Sequence, residues 1–476
     1  MVIPQNKTKI VCTIGPASAT PEVMADMIRA GMNVARLNFS HGDFPSQKKM
    51  IENLREASRS VGKPVAIMAD LSGPKIRIGE LSQEPIELKA DRRVTLSTED
   101  VVGDAARISV SFSRLPQAVR PGDMLFLNDG YIQLEVKEVR GKEVACNVVV
   151  GGELRSRQGL NLPGINLGIS AFTEQDHRCL KFALENGVDA VSQSFVETVS
   201  DIHAVREASE SLGHHPFIIA KIERSRVLQH MEEILEAADG IMIARGDLGV
   251  EMPIEDLPGI QKELMREANL VGKPVITATQ MLESMINNRR PTRAEATDVA
   301  NAILDGTDCV MLSGESAIGK YPVEAVAMLA RIAAAIEPRR PAQSVREAIR
   351  PARKDAPVRL HDLIALSVET ASRHAPPAVV IVPTQSGVTA RRIARFRLPM
   401  WITAVSSLKS TCQNLQFSYG IEPVYAPEHP EDWKAFARDW VCDHGVDGDL
   451  VFLTEGPSSR HPEANNRMEI IDLSRR

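Results

Sequence analysis

The chain has 476 residues, 43% hydrophobic and 25% charged, a length that suits about three domains and a composition that excludes wholesale disorder and fibrous repeats. Its 56 Lys and Arg against 62 Asp and Glu give a formal charge of −6. That balance offers no general reason to bind nucleic acid or an anionic membrane, so any anionic ligand must be held locally. No apolar run reaches the roughly 20 residues of a membrane span, and MVIPQNKTKIVCTIG lacks a signal-peptide pattern, so a cytoplasmic location is expected. Six scattered cysteines without a C-x-x-C pair predict reduced, mostly buried thiols, and 4% aromatic residues disfavour stacking on single-stranded nucleic acid.

Eight short runs rich in Val, Ile, Ala and Met predict strands: KIVCTI (9–14), NVARLN (33–38), VAIMAD (65–70), DAVSQSF (189–195), FIIAKIE (217–223), GIMIA (240–244), PVITATQ (274–280) and CVMLS (309–313). Helical apolar spacing between them makes repeated β-α units, hence an α/β fold with a (β/α)8 TIM barrel over 1–70 and 169–340. The gap between the third and fourth strands is far longer than one helix needs. Alternating patterns such as RRVTLST, DMLFLND, IQLEVKEV and EVACNVVV predict an inserted small β-barrel lid domain over 71–168, with hinges at 71–77 and 162–168. The basic, proline-containing segment 341–357 is expected to be a solvated linker. Beyond it, 358–476 alternates helix and strand as an open, doubly wound α/β domain, and the turn Thr384, Gln385, Ser386, Gly387, Val388, Thr389 lies between strand and helix, where a phosphate site and an N-cap turn are equally good readings.

A TIM barrel carries its site at the C-terminal strand ends, and polar residues gather there: Arg36, Asn38 and Ser40, Asp70, Ser194, Lys221 and Glu223, Thr279, Ser313 and Glu315, with Arg245, Gly246 and Asp247 after the sixth strand. Strand alternation points Lys221 and Glu223 the same way. The hard carboxylates Glu223 and Asp247 suit Mg²⁺ or Mn²⁺ held partly by substrate and water. Asp298 and Asp305 are expected to be solvated or capping. Residues 314–320 have P-loop spacing, but Tyr321 stands where Ser or Thr must meet Mg²⁺, so the match is set aside.

The segments MNVARLNFSHG (32–42), ADLSGPKIRIG (69–79), IAKIE (219–223), IMIARGDLGVE (241–251), ITATQMLESM (276–285) and PTRAEATDVANAILDGTDCVMLSGE (291–315) together resemble pyruvate kinase. The resemblance implies transfer of the phosphoryl group of phosphoenolpyruvate to ADP, giving pyruvate and ATP in glycolysis, with Mg²⁺ as cofactor. It implies Lys221, Arg36 and Thr279 as catalytic residues, Glu223 and Asp247 as metal ligands, and substrate held by Arg36, Lys221, Gly246, Asp247 and Thr279. Nucleotide contacts fall to Asn38, His41 and Arg77.

The family's monovalent-cation site matches Asn38, Ser40, Asp70 and the backbone of Leu71. This chain places Lys75 where potassium-dependent members have Glu. An ammonium there carries the charge K⁺ would bring, and two close cations repel, so K⁺-independent activity and a bacterial, potassium-independent member are expected. The resemblance further implies allosteric control through Thr384, Gln385, Ser386, Gly387 and Thr389, and a homotetramer. Two other readings are open to the residues themselves: an aldolase acting through a Mg²⁺-bound enolate, and a catalytically silent metabolite sensor.

Overall fold

The structure, a computed structural model, describes residues 3–340, 360–457 and 465–475; the expected linker at 341–357 lies outside the described residues. Among the described residues, eight parallel strands close into a barrel: Lys9–Thr13, Met32–Asn38, Ala66–Leu71, Ala190–Gln193, Phe217–Ile222, Gly240–Ala244, Val275–Ala278 and Cys309–Leu312. Lys9 pairs with Cys309 to join first strand to last. Seven of these eight strands are buried at every position, Met32–Asn38 being the exception, as strands covered on one side by helices and on the other by the barrel core must be. Four of the intervening helices start on a side chain that accepts a free amide: Thr20 caps Pro21–Ala30, and Asp43, Thr173 and Thr292 form capping boxes with Ser46, Asp176 and Glu295.

The fourth and seventh strands stop two residues short of their expected ends. Phe195 (φ 57°), Thr279 (φ 67°) and Gln280 (φ 54°) take left-handed backbone, which cannot continue a ladder. The fourth and seventh strands therefore end at Gln193 and Ala278, and the residues beyond turn into the mouth.

The inserted lid is β, built as a half-barrel. A six-stranded sheet runs in the order Leu160–Asn161, Met124–Leu127, Ile132–Arg140, Glu143–Val150, Arg93–Ser97, Arg107–Ser109, beside a two-stranded sheet of Ile86–Leu88 and Gly152–Leu154. A register shift between Val136 and Glu138 bends its longest pairing. The lid has its own core, including Leu96, Leu125, Val136 and Val144.

The C-terminal sheet runs Ile421–Tyr425, Trp401–Ser406, Val379–Pro383, Leu450–Glu455, Arg467–Asp472, parallel except for the last strand. It packs on the N-terminal end of the barrel: Lys9 Nζ donates to Ile421 O at 2.7 Å, Arg397 pairs with Asp308 at 2.6 Å, and the Phe217 and Phe417 rings stack 5.3 Å apart. The opposite end of the barrel, where the strands finish, faces the lid hinge. Five cysteines are buried and Cys442 is exposed, all unpaired. No helix among the described residues is long and apolar enough to cross a membrane.

Candidate active site

Four neighbouring strands, the second to the fifth, aim a charged cluster into the barrel mouth. Arg36 Nε donates to Asp70 Oδ2 at 2.8 Å, with a second bond from Nη2, while Nη1 donates to Thr13 Oγ1 at 2.9 Å. Ser192 Oγ donates to Asp70 Oδ1 at 2.7 Å. Lys221 Nζ stands 2.6 Å from Ser194 Oγ, 2.8 Å from Glu223 Oε1 and 3.2 Å from Asp70 Oδ1. Burial opposes the Lys221 charge, but Asp70 and Glu223 outweigh it and push the ammonium up to about 12. Asp70, 2% exposed, would rise on burial alone; Arg36 and then Lys221 hold it below the ordinary carboxylate range.

Glu223 is likewise 2% exposed. Its Oε2 accepts the Phe195 amide at 2.7 Å, an amide presented by the left-handed backbone at that residue. Burial raises its pKa, Lys221 opposes the rise and the Asp247 charge adds to it. Two carboxylates that repel one another at the mouth form a donor set that a divalent cation relieves. No group of three or more His, Cys, Asp or Glu side chains suited to a metal occurs among the described residues. Two hard carboxylates with positions left for substrate and water fit Mg²⁺ or Mn²⁺ and not a closed structural site.

Gly246 and Asp247 lie on a one-turn helix, Arg245–Leu248, directly after the sixth strand. The Gly246 amide donates to Thr279 Oγ1 at 2.9 Å, and that hydroxyl donates to Ala278 O at 2.7 Å. Arg245 locks the turn: Nε donates to Ala278 O, Nη2 to Thr279 O, and Nη1 pairs with Asp298 at 2.7 Å. Asp298, its side chain 37% exposed, also anchors Arg245. Asp305, at the end of the same helix, takes Lys262.

The residues expected around a monovalent cation divide into two groups. Asp70 is consumed by Arg36, Lys221 and Ser192, and the Leu71 carbonyl accepts Ser194 Oγ at 2.6 Å. Asn38 and Ser40 stand apart: Asn38 Oδ1 accepts the Ser40 amide and Ser40 Oγ lies 2.8 Å from Ser72 Oγ. Lys75 is exposed on the lid hinge and borders a cleft of about 360 Å³ together with Phe195, Arg224, Asp247 and Glu251. His41 is exposed beside the mouth, and Arg77 Nη1 donates to Arg157 O within the lid.

Ser313 and Glu315 do not join the site. Both Glu315 oxygens accept backbone amides, from Leu282 at 3.0 Å and Ser313 at 2.8 Å, so this buried carboxylate ties loops together. In the C-terminal turn, Thr384 Oγ1 accepts the Gly387 amide at 2.9 Å, Gln385 O accepts Thr411 Oγ1, and Ser386 O accepts Arg391; Gly387 is left-handed. Thr389 borders a separate cleft with Thr454 and Glu455. Ser192, Thr13 and the Phe195 amide were not singled out from sequence. Alternation down the fourth strand, which puts Ser192 on the face of Ser194, is the signal that finds the first.

A barrel mouth of fixed cations and paired carboxylates with an inserted β lid defines a TIM-barrel phosphotransferase. Residues 5–326 match the family described as "Pyruvate kinase, barrel domain" and residues 362–471 "Pyruvate kinase, alpha/beta domain". The chain is 46% identical to a pyruvate kinase of Thermococcus litoralis, covering 99% of this chain and 100% of that one, and 42% identical to one of Geobacillus stearothermophilus, covering 99% and 81%. It superposes on the crystal structure of a pyruvate kinase from Cryptosporidium parvum with TM-score 0.92 and 36% identity, covering 98% of this chain and 96% of that one. The chain belongs to the pyruvate kinase family.

Proposed function

We propose that the protein transfers the phosphoryl group of phosphoenolpyruvate to ADP and protonates the resulting enolate to pyruvate. The observation that carries this is the Lys221 ammonium, fixed between Ser194, Glu223 and Asp70, with Arg36 on the same Asp70 carboxylate. Phosphoryl transfer asks little covalent chemistry of a protein and much positioned positive charge. Arg36 and Lys221 meet the moving group with donors that need no rearrangement. Mg²⁺ or Mn²⁺ on Glu223 and Asp247 would supply further charge for the phosphoryl oxygens. The Thr279 hydroxyl, held by Gly246 and Ala278, belongs to the path that brings a proton to the enolate, and the Gly246 and Asp247 backbone receives the substrate carboxylate. Asn38, His41 and Arg77 serve the nucleotide, and lid closure excludes water.

Lys75 replaces K⁺ in this reading. That part rests on family likeness; Lys75 borders a cleft with Asp247 and Phe195 that includes none of Asn38, Ser40, Asp70 and Leu71. On family likeness alone, the reading extends to a cytoplasmic homotetramer in glycolysis, with an effector at Thr384, Gln385, Ser386, Gly387 and Thr389.

The test is pyruvate release from phosphoenolpyruvate with each component withheld in turn. Release that needs both ADP and a divalent ion supports the kinase; release without ADP, or none from folded protein, sinks it.

A further inference from the structure

The junction of barrel and C-terminal domain carries more cations than its acids can pair. Asp308 takes both Arg397 nitrogens and the amides of Tyr419 and Val275. Asp362 takes Arg392 and Arg395, and Asp239 takes Arg206 at 3.3 Å and the Ile218 amide. Two further cations stand beside these acids. Lys273 Nζ donates only to Ala238 O, and Arg391 donates to Ser386 O; neither has an ion pair among the described residues. Burial lowers the pKa of both.

Lys273, Arg391, Arg395, Asp308 and Ser418 border one small cleft. Arg395 is 3% exposed and Ser418 1% exposed, yet Arg395 Nε, Arg391 Nη1 and Ser418 Oγ have no hydrogen-bond partner. Buried donors without acceptors are costly. The nearby C-terminus of helix Leu257–Val271, whose Leu270 carbonyl accepts Arg395, offsets only about half a charge.

We propose that this cleft binds a small tetrahedral oxyanion, phosphate or sulfate, between the barrel and the C-terminal domain. Three cations and a hydroxyl on one small cleft suit a compact oxyanion and not a nucleotide. Lys273 approaches from the barrel, Arg391 and Arg395 from the other domain, so the ion ties the two together. The site adjoins the 384–389 turn through the Arg391 bond to Ser386 O, while Thr384 and Gly387 of that turn bond one another and do not border the cleft.

Isothermal titration of the full chain with inorganic phosphate and with sulfate, at ionic strength fixed with chloride, tests this in wild type, Lys273→Gln, Ser418→Ala and Thr384→Ala. Ser418→Ala removes no hydrogen bond and should fold. Lys273→Gln is expected to weaken binding by about 10-fold or more and Ser418→Ala by about 2- to 10-fold, from ordinary charged and neutral hydrogen-bond values, with Thr384→Ala binding as wild type. Wild-type affinity in both Lys273→Gln and Ser418→Ala, loss of binding in Thr384→Ala alone, or no preference over chloride overturns the assignment.

Discussion

The Lys221 ammonium lies 3.2 Å from Oδ1 of Asp70, although 151 residues separate the two in the chain. Asp70 also holds Arg36, so one buried carboxylate sets the spacing of both cations at the mouth. The parallel pairing of the second to fifth strands brings these residues together at one end of the barrel. The arrangement keeps two donors in place before any substrate arrives, which is where electrostatic catalysis draws its advantage.

Asp70→Asn should destabilise the fold by about 3–5 kcal/mol at pH 7, because it leaves two buried cations undercompensated. The pH dependence has a definite sign. Asp70 has a lowered pKa in the folded state, so its contribution is present above the unfolded value of about 3.9 and is lost as pH falls through the lower folded one. Denaturant unfolding of wild type and variant should show a gap that is constant near neutrality and narrows only below about pH 4. A gap that narrows between pH 7 and 5 would contradict the pairing.

Gly73 should not tolerate a side chain. Its φ is 62° and a Cβ there would meet Phe195 Cδ2 at 2.8 Å. Phe195 presents the amide bonded to Glu223, so Gly73→Ala is expected to raise the Mg²⁺ concentration needed for half-maximal rate, while Ser72→Ala is not. Magnesium titrations of the rate decide it, and an unchanged Gly73→Ala titration counts against the link.

Thr279→Ser keeps the hydroxyl that accepts the Gly246 amide and should retain most of the activity. Thr279→Ala removes it and leaves that amide unpartnered; kcat is expected to drop by roughly 100-fold, the scale of a lost proton-transfer group. KM for phosphoenolpyruvate should move much less. Steady-state kinetics of both variants separate a chemical role from a packing one, since equal losses in the two would indicate packing.

Lys75 gives the sharpest test of the cation argument. Wild-type rate is expected to be the same in K⁺ and in a bulky tetraalkylammonium salt, and Lys75→Glu should fall in the second and recover in the first. Wild-type activity that requires K⁺ would keep the kinase and remove Lys75 from this role.

Much of the architecture was legible because each barrel strand is a short apolar run whose burial on two faces leaves little room for polar residues. Lys221 and Glu223 were legible for the same reason: alternation places them on one face, and they meet at 2.8 Å. Other parts depend on distant segments and leave no local pattern. Arg245 and Asp298 are 53 residues apart, and the Phe195 amide acts through backbone that no residue type announces. The strands at Gln193 and Ala278 were read too long because β-branched and polar residues such as Thr279 continue a strand pattern while taking left-handed backbone in the fold.

The central claim is that a fixed Lys221 ammonium at the barrel mouth drives phosphoryl transfer. The most direct measurement is the initial rate of pyruvate and ATP formation from phosphoenolpyruvate, ADP and Mg²⁺ by wild type and by Lys221→Ala whose fold is verified by circular dichroism. The account predicts equal amounts of both products from wild type and a fall in kcat of about 1,000-fold or more in the variant, at the upper end for one lost electrostatic contact. A folded Lys221→Ala protein that turns over within a few-fold of wild type would contradict it.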